Sequence, residues 1–517
     1  MNDLSIAKTY ENMAADRDAF LSRARSAAEL TIPTLMPLEG HTGNSQYETP
    51  YQSVGSRGVN NLASKLLMTL LPPNSPFFRL TIDDYDLIEL GGEARGAAEE
   101  ALARIERSAA QVVESKAIRV PTFEALKQLI VSGNALVHMP PKGGMKVYRL
   151  DRYTVKRDTM GNLLKIIVKE TVAYEALPKE IQEILKETPD YNPTKKECDL
   201  YTCVIRDGKK FKVHQEVHGM QIPKSQGSYP EDKIPWLALR FIAIDGEDYG
   251  RGFVEEYAGD LKSLESLTRA IVEGSAASAK LLFMVRPNGT TKIRNIADSP
   301  NGAIISGDAN DVTTLQANKF NDFRVAQETM ATITERLSFA FLLNSAVQRN
   351  AERVTAEEIR YAAQELETSL GGVYSALSQE FQLPLVNLLL SRMEKEGKMP
   401  KFPKDTLKPQ IVTGLEALGR GQDLNKLQAF LQMLQPLGAE VIQREMNVDD
   451  YIDRLGASLG IDTQGLIKSF EQKQQEKQIQ QQQMQQAQMM QMAEKGVSPA
   501  VKGVVDSMQQ QQPEEGQ

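Results

Sequence analysis

The chain has no apolar run approaching the roughly eighteen residues that a membrane-spanning helix needs, and it has only two cysteines in 517 residues. The first absence leaves no candidate for stable membrane insertion. The second excludes the disulfide framework of a secreted protein and fits a reducing cytosol, or a particle assembled in one. The opening Met1-Asn-Asp-Leu-Ser lacks the basic and apolar regions of a signal peptide, so the sequence reads as soluble. No Gly-x-x-x-x-Gly-Lys-Ser/Thr loop exists to cradle a phosphate, and Gly250-Arg-Gly-Phe-Val stops short of the third glycine of a dinucleotide site. Nucleotide hydrolysis has no home here, and no cofactor is expected. An excess of basic charge is missing too: 60 Lys and Arg stand against 68 Asp and Glu, a net −8, so any contact with nucleic acid must be local.

Two clusters imitate metal chemistry. Cys198, Cys203, His214 and His218 superficially follow a two-Cys two-His zinc pattern. Cys198 and Cys203 differ by an odd number along a predicted strand, however, and so face opposite sides of it. Asp83, Asp84 and Asp86 read as a solvated strand end, not a metal cluster. Tyr249-Gly250-Arg251-Gly252 reads as a tight turn that admits the following helix.

What is present is long and mixed. At about 150 residues per domain the length predicts two to four units. Residues 5 to 30 read as an amphipathic helix ending before Thr31-Ile32-Pro33. Further helices are predicted from Val54 to Leu71, from Glu93 to Ala117, and after Pro121. From Ala135 to Ile244 the period turns to two, with Asp207-Gly208 as a hairpin turn. A helix follows from Val254 to Lys280, with a small-residue end from Gly274 that permits close packing. Residues 282 to 317 hold turn signals and read as a small β-rich module. The fold class is therefore α+β, mainly helical.

The most telling stretch is a helix from Asn321 to Leu343, a hydrophilic loop from Asn344 to Val354, and a helix from Thr355 to Glu394. Thr355 and Glu358 form a capping box, and Ile359, Ala363, Leu366, Leu370, Val373, Leu377, Phe381, Leu385 and Leu388 lay one apolar stripe along the second helix, with Pro384 kinking its last turns. The two helices are predicted to be about 35 and 60 Å long.

The residues of this stretch are Arg336-Leu-Ser-Phe-Ala-Phe-Leu-Leu-Asn-Ser-Ala-Val-Gln-Arg, Glu352-Arg-Val-Thr-Ala-Glu-Glu-Ile-Arg-Tyr and Leu370-Gly-Gly-Val-Tyr-Ser. They resemble the head-to-tail connector, or portal, proteins of short-tailed podovirus bacteriophages of the autographivirus kind. Leu30-Thr-Ile-Pro, Gln52-Ser-Val-Gly-Ser-Arg-Gly-Val-Asn-Asn-Leu, Phe123-Glu-Ala-Leu-Lys-Gln-Leu, Tyr249-Gly-Arg-Gly-Phe and Gly414-Leu-Glu-Ala-Leu-Gly-Arg-Gly-Gln-Asp-Leu continue the likeness in one order, and only the Gln-rich end lies outside it.

The resemblance implies a portal fold assembling into a ring with a central channel. Its wing spans 1–253, its first stem helix 254–281, its clip 282–317 and its second stem helix 318–343. A channel loop covers 344–354, a long wing helix 355–395, a helical crown 396–470, and a Gln- and Met-rich tail 471–517 that turns disordered. It also implies a homododecamer at one capsid vertex of the virion, assembled in the host cytoplasm. That ring would nucleate the head, dock the large subunit of the terminase motor, conduct double-stranded DNA and anchor the tail. Its partners would be the major capsid protein, a scaffolding protein, the terminase, a tail adaptor and internal core proteins at the crown. No enzymatic activity, cofactor or metal is expected. The loop residues Asn344, Gln348, Arg349, Asn350 and Arg353 are expected to face DNA, and Lys280, Arg286, Lys292 and Arg294 to line the clip or dock the motor or tail. A DNA-processing enzyme and a helical scaffolding protein are the alternatives. The first would need a phosphate loop or a clustered metal site, and the second sits poorly with the strand-rich first half.

Overall fold

The computed structural model describes residues 5–41, 43–73, 76–81, 92–141, 143–186, 197–278, 282–315, 320–343, 356–398, 410–413 and 420–438, with isolated positions between 444 and 487. The chain divides into a unit running to Lys426 and a second from Leu427 to Gln517, and the architecture that follows belongs to the first. Ser5 starts helix α1 (Ile6–Glu29), its hydroxyl accepting from the N–H of Lys8, and the helix stops ahead of Pro33. Helix α2 (Val54–Leu70) carries Val59, Leu62, Ala63, Leu66 and Leu70 at helical spacing, all fully buried. Burial of one leucine stabilises by about 1.5–3 kcal/mol, so this stripe makes α2 the centre of the unit. Strand β1 (Phe78–Thr81) and helix α3 (Gly92–Ser115) follow it, and α4 (Arg119–Ser132), with Pro121 in its first turn, packs along it.

Beyond α4 the backbone is extended. The strands run β2 (Asn134–His138), β3 (Lys146–Tyr148), β4 (Tyr153–Arg157) and β5 (Leu163–Ala173). A short helix α5 (Lys179–Lys186), which the alternating pattern did not suggest, precedes β6 (Glu197–Asp207), β7 (Lys210–Val217), β8 (Met220–Gln221), β9 (Gly227–Pro230) and β10 (Trp236–Arg240). Strands β4 to β8 pair antiparallel in chain order, with β9 also on β7, while β2 lies between β10 and β3 in a separate sheet. The expected hairpin joins β6 to β7: Asp207 pairs with Lys210, and Gly208 takes φ +61° in the two-residue turn.

The second half begins with α6 (Phe253–Glu256) and α7 (Ala258–Ser278). Strand β11 (Leu282–Val285), a short helix α8 (Ile293–Ala297) and β12 (Val312–Leu315) come next, and α9 (Phe320–Ala340) returns along α7. The segment 282–317 is less β-rich than its turn signals predict. Its sheet is one antiparallel pair, Leu282 opposite Leu315, and the chain between runs mostly through turns.

The single long helix predicted over 355–395 is corrected by the structure. Helix α10 (Ala356–Ser369) ends at Gly371 and Gly372, both left-handed at φ +58° and +90°. Helix α11 (Val373–Leu377), a π turn (Ser378–Gln382) and α12 (Leu383–Lys395) follow, with Pro384 in the first turn after the π turn. The apolar period runs through the break because Leu370, Val373, Leu377 and Phe381 all enter the same core. The purely helical assignment of 396–470 is corrected as well. Strand β13 (Gln410–Thr413) pairs antiparallel with β1, Phe78 opposite Thr413, across more than three hundred residues of chain. Four residues behind Pro400, Pro403 and Pro409 are too few to show a period. Helix α13 (Arg420–Leu434) falls within the expected helical block, and most of the rest of 396–517 lies outside the described residues.

Candidate functional site

The residues predicted to face a channel, Asn344, Gln348, Arg349, Asn350 and Arg353, lie outside the described residues, as do Lys280, Asp83, Asp84, Asp86 and the Thr355 cap. The elements on either side of 344–354, the end of α9 and helix α10, are described, and both are fastened to α2. At the first end Asn61 Nδ2 donates to the carbonyls of Phe341 and Leu342, each at 3.0 Å. These oxygens lie just past the last turn of α9, where the chain leaves the helix and its carbonyls have no helical partner. Leu342 takes φ +53°, a left-handed conformation that costs a non-glycine roughly 1–2 kcal/mol. Asn61 and the burial of Phe341 hold it there. Phe341 packs edge-on to Phe253 at 5.4 Å, and a Cβ on Gly58 of α2 would meet its ring at 2.5 Å.

One turn further along α2, Lys65 Nζ meets Glu365 of α10 at 3.2 Å, with the lysine side chain 8% exposed. Tyr374 donates to the carbonyl of Thr69, and Gln382 Nε2 donates to that of Leu70 at 2.7 Å, closing the C-terminus of α2. Sequence reading missed Asn61 and Lys65. The available signal was that Asn61 and Lys65 stand four apart, each next to a residue of the apolar stripe, Leu62 and Leu66.

The hairpin of α7 and α9 is closed at its base by Arg336 and Asp260, 2.8 Å apart. Toward its far end Gly274 lies beneath Phe323, where a Cβ would stand 2.9 Å from the ring, so the small residue there does permit the close packing expected of it. At the tip, the carboxylate of Asp311 accepts from the N–H of Thr290 at 2.8 Å and of Thr291 at 3.1 Å, and from both threonine hydroxyls. Burial works against its charged form, but those hydrogen bonds outweigh it and hold the carboxyl below its ordinary value. A Cβ on Gly289 would stand 2.4 Å from the same carboxylate, so this turn is built around Asp311. Arg286, Lys292 and Arg294 are exposed on this tip, and Arg294 reaches Asp298 only at 4.0 Å.

The chemistry-like motifs resolve into packing. Gly133, at φ +75°, Gly250 and Gly252 bring two backbones together: a Cβ on Gly133 would lie 2.3 Å from Arg251 C, and one on Gly252 2.5 Å from Val131 O. Asn134 bridges them, donating to Gly250 O and accepting from Gly250 N. Cys198 and Cys203 pack into separate apolar clusters, as their odd spacing implied, and burial pushes the Cys203 thiol up to about 11. Among the described residues no group of three or more metal-ligand side chains converges, and no helix is long and apolar enough to cross a membrane.

The described residues form an α+β body that carries a two-helix hairpin with a small tip. The chain belongs to the bacteriophage head-to-tail connecting protein family, whose model matches residues 4–467. It is 43% identical to the portal protein of Escherichia phage T7 over 90% of this chain and 89% of that one, and 44% identical to the portal protein of Enterobacteria phage T3 over 90% and 88%. With the portal protein of Enterobacteria phage SP6 it shares 32% identity over 99% of this chain and 97% of the relative. That match reaches into the Gln-rich end, which was expected to fall outside the family likeness. A chain from the virion of a native gene transfer agent is a remote structural neighbour, 12% identical at a TM-score of 0.32 over 75% of this chain and 86% of that one. As a portal protein the chain is a component of the phage particle at the junction of head and tail.

Proposed function

We propose that copies of the chain form a closed ring, a dodecamer, at one capsid vertex, through which double-stranded DNA enters and leaves the head. In this reading residues 1–253 make the wing, α7 and α9 the stem, 282–317 the clip, and 344–354 a loop in the channel. Helices α10 to α12 return to the wing, and the crown lies beyond. The observation that carries the reading is the fastening of the elements on either side of 344–354, the end of α9 and helix α10, to α2, whose apolar stripe is fully buried, through Asn61 and Lys65. A loop hung from a rigid helix repeats at the same radius in every copy, so Arg349 and Arg353 become rings of positive charge. Those rings face a polymer with one phosphate charge about every 1.7 Å of duplex. The subunit itself is acidic at −8, and sparse basic rings in an acidic wall touch DNA without holding it. The tip bearing Arg286, Lys292 and Arg294, together with Lys280, would meet the terminase and later the tail adaptor. The capsid, scaffolding and core proteins would meet the wing and crown. The chain supplies geometry and charge, while the separate motor supplies energy; its relatives are portal proteins, which fits a role without catalysis.

Replacing Arg349 and Arg353 together by Gln tests this. Ring assembly and thermal stability should be unchanged, because surface substitutions of this kind cost under about 0.5 kcal/mol. Packaging or genome retention should fall, with a weaker dependence on salt. Wild-type packaging and retention by the double variant, at low and moderate salt alike, would remove the loop from the channel.

A further inference from the structure

The stem hairpin carries the same charge pattern, in opposite sign, on its two outer faces. In an antiparallel pair each step forward on one helix lies level with one step back on the other. Gly274 opposite Phe323, and Leu282 opposite Leu315 at the tip, set the register here. Counting from them, Glu273 lies level with Arg324, Arg269 with Glu328, Ser266 with Ala331 and Lys262 with Glu335. At 3.6 residues per turn these α7 residues fall about half a turn from Leu261 and Leu264, which enter the core. Their α9 counterparts fall about as far from Ile333 and Leu337, which enter it as well. All eight are exposed. The two rows therefore point away from each other, one from each flank of the hairpin. Negative meets positive at three levels, and small meets small at the fourth.

Among the described residues no ion pair joins one row to the other. Arg269 pairs along its own helix with Glu273 at 2.8 Å and lies over the Tyr51 ring at 5.7 Å, and Arg324 reaches Glu328 at 4.0 Å. Lys262 and Glu335 have no ionic partner among the described residues. Near the same α9 row Phe339 is 78% exposed, level with Ala258 and Gly259, where a Cβ on the glycine would meet nothing within 4 Å.

We infer that the partner is a second copy of this chain, docked side by side so that the outer face of α9 in one copy lies on the outer face of α7 in the next. A ring needs such a heterologous contact, in which two different faces of one subunit complement each other. Two faces with matching charges at equal heights supply it without tilting the subunit. The inference rests on the ring proposed above and specifies how its stem closes.

Charge reversal tests it. Lys262→Glu and Glu335→Lys should each cut the ring fraction at moderate salt at least fivefold by mass measurement, because the repulsion recurs at every interface. The double variant Lys262→Glu/Glu335→Lys should recover to within twofold. Circular dichroism melts matching wild type in all three keep folding out of the comparison. Ser266→Cys combined with Ala331→Cys gives a second readout. The two thiols lie on opposite flanks and cannot meet within one chain, and the native cysteines are buried. A short bismaleimide should therefore yield a covalent ladder of oligomers. Rings that assemble from the double-cysteine protein yet show no ladder, or single reversals that assemble like wild type, would overturn this contact while leaving the ring standing. A wild-type chain that stays monomeric would overturn the ring and the contact together.

Discussion

His138 shows how far single residues govern this structure. Its imidazole stacks on Trp236 with centroids 4.3 Å apart, and burial, opposed by Glu170 and aided by Lys146 and Arg392, lowers its pKa to about 4. The folded protein therefore keeps it neutral while the unfolded chain protonates it near 6.5. The stability this contributes is complete above about pH 6.5 and is lost as pH falls toward 4. Between pH 7 and 5 the loss should be about 2 kcal/mol, because a tenfold difference in proton affinity between the folded and unfolded states corresponds to about 1.36 kcal/mol. Denaturant midpoints should show this slope in the wild type and lose most of it in His138→Phe, which keeps a ring on Trp236; an unchanged slope would assign the acid sensitivity elsewhere. Neither the stacking nor the burial is legible in the sequence, where His138 is one polar residue in an extended run. Asn61 is similar: its type and position on α2 are visible, but its purpose depends on Phe341 and Leu342, 280 residues away.

Elements were more legible than their joints. Helices α1, α2, α4, α7 and α9 announce themselves by period, cap or proline, and the β6–β7 turn by Asp207-Gly208. The joint between α10 and α11 did not, although its glycine pair was in view. A Cβ on Gly372 would meet nothing within 4 Å, so only its φ of +90° demands glycine. Gly372→Ala should cost about 1–2 kcal/mol, the left-handed penalty alone. Gly133→Ala meets that penalty and a backbone contact at 2.3 Å together, so it should cost well over twice as much or prevent folding. Equilibrium unfolding of the two variants ranks them. Equal costs would mean that the crossing of Gly133 under Arg251 relaxes freely. Glu367 helps to span the joint, accepting from both the N–H and the hydroxyl of Ser375.

At the scale of the whole molecule, removal of residues 471–517 should leave ring assembly intact, because a Gln- and Met-rich segment contributes little apolar burial to an interface. Light scattering or mass measurement of the truncated chain checks this, and a fall to monomers would make the tail a structural element. The sequence alone determined that the chain is α+β, that it lacks a phosphate loop and any long apolar span, and that it belongs with the portal proteins. These are properties of composition, local period and ordered motifs, each contained in a few consecutive residues. Only the tertiary structure decided that β13 pairs with β1, that the 355–395 helix breaks at two glycines, that α2 holds both the end of α9 and helix α10, and that opposite charges stand level on the two flanks of the α7–α9 hairpin. Those outcomes depend on which distant segments share a core and in what register, and a linear pattern does not record that.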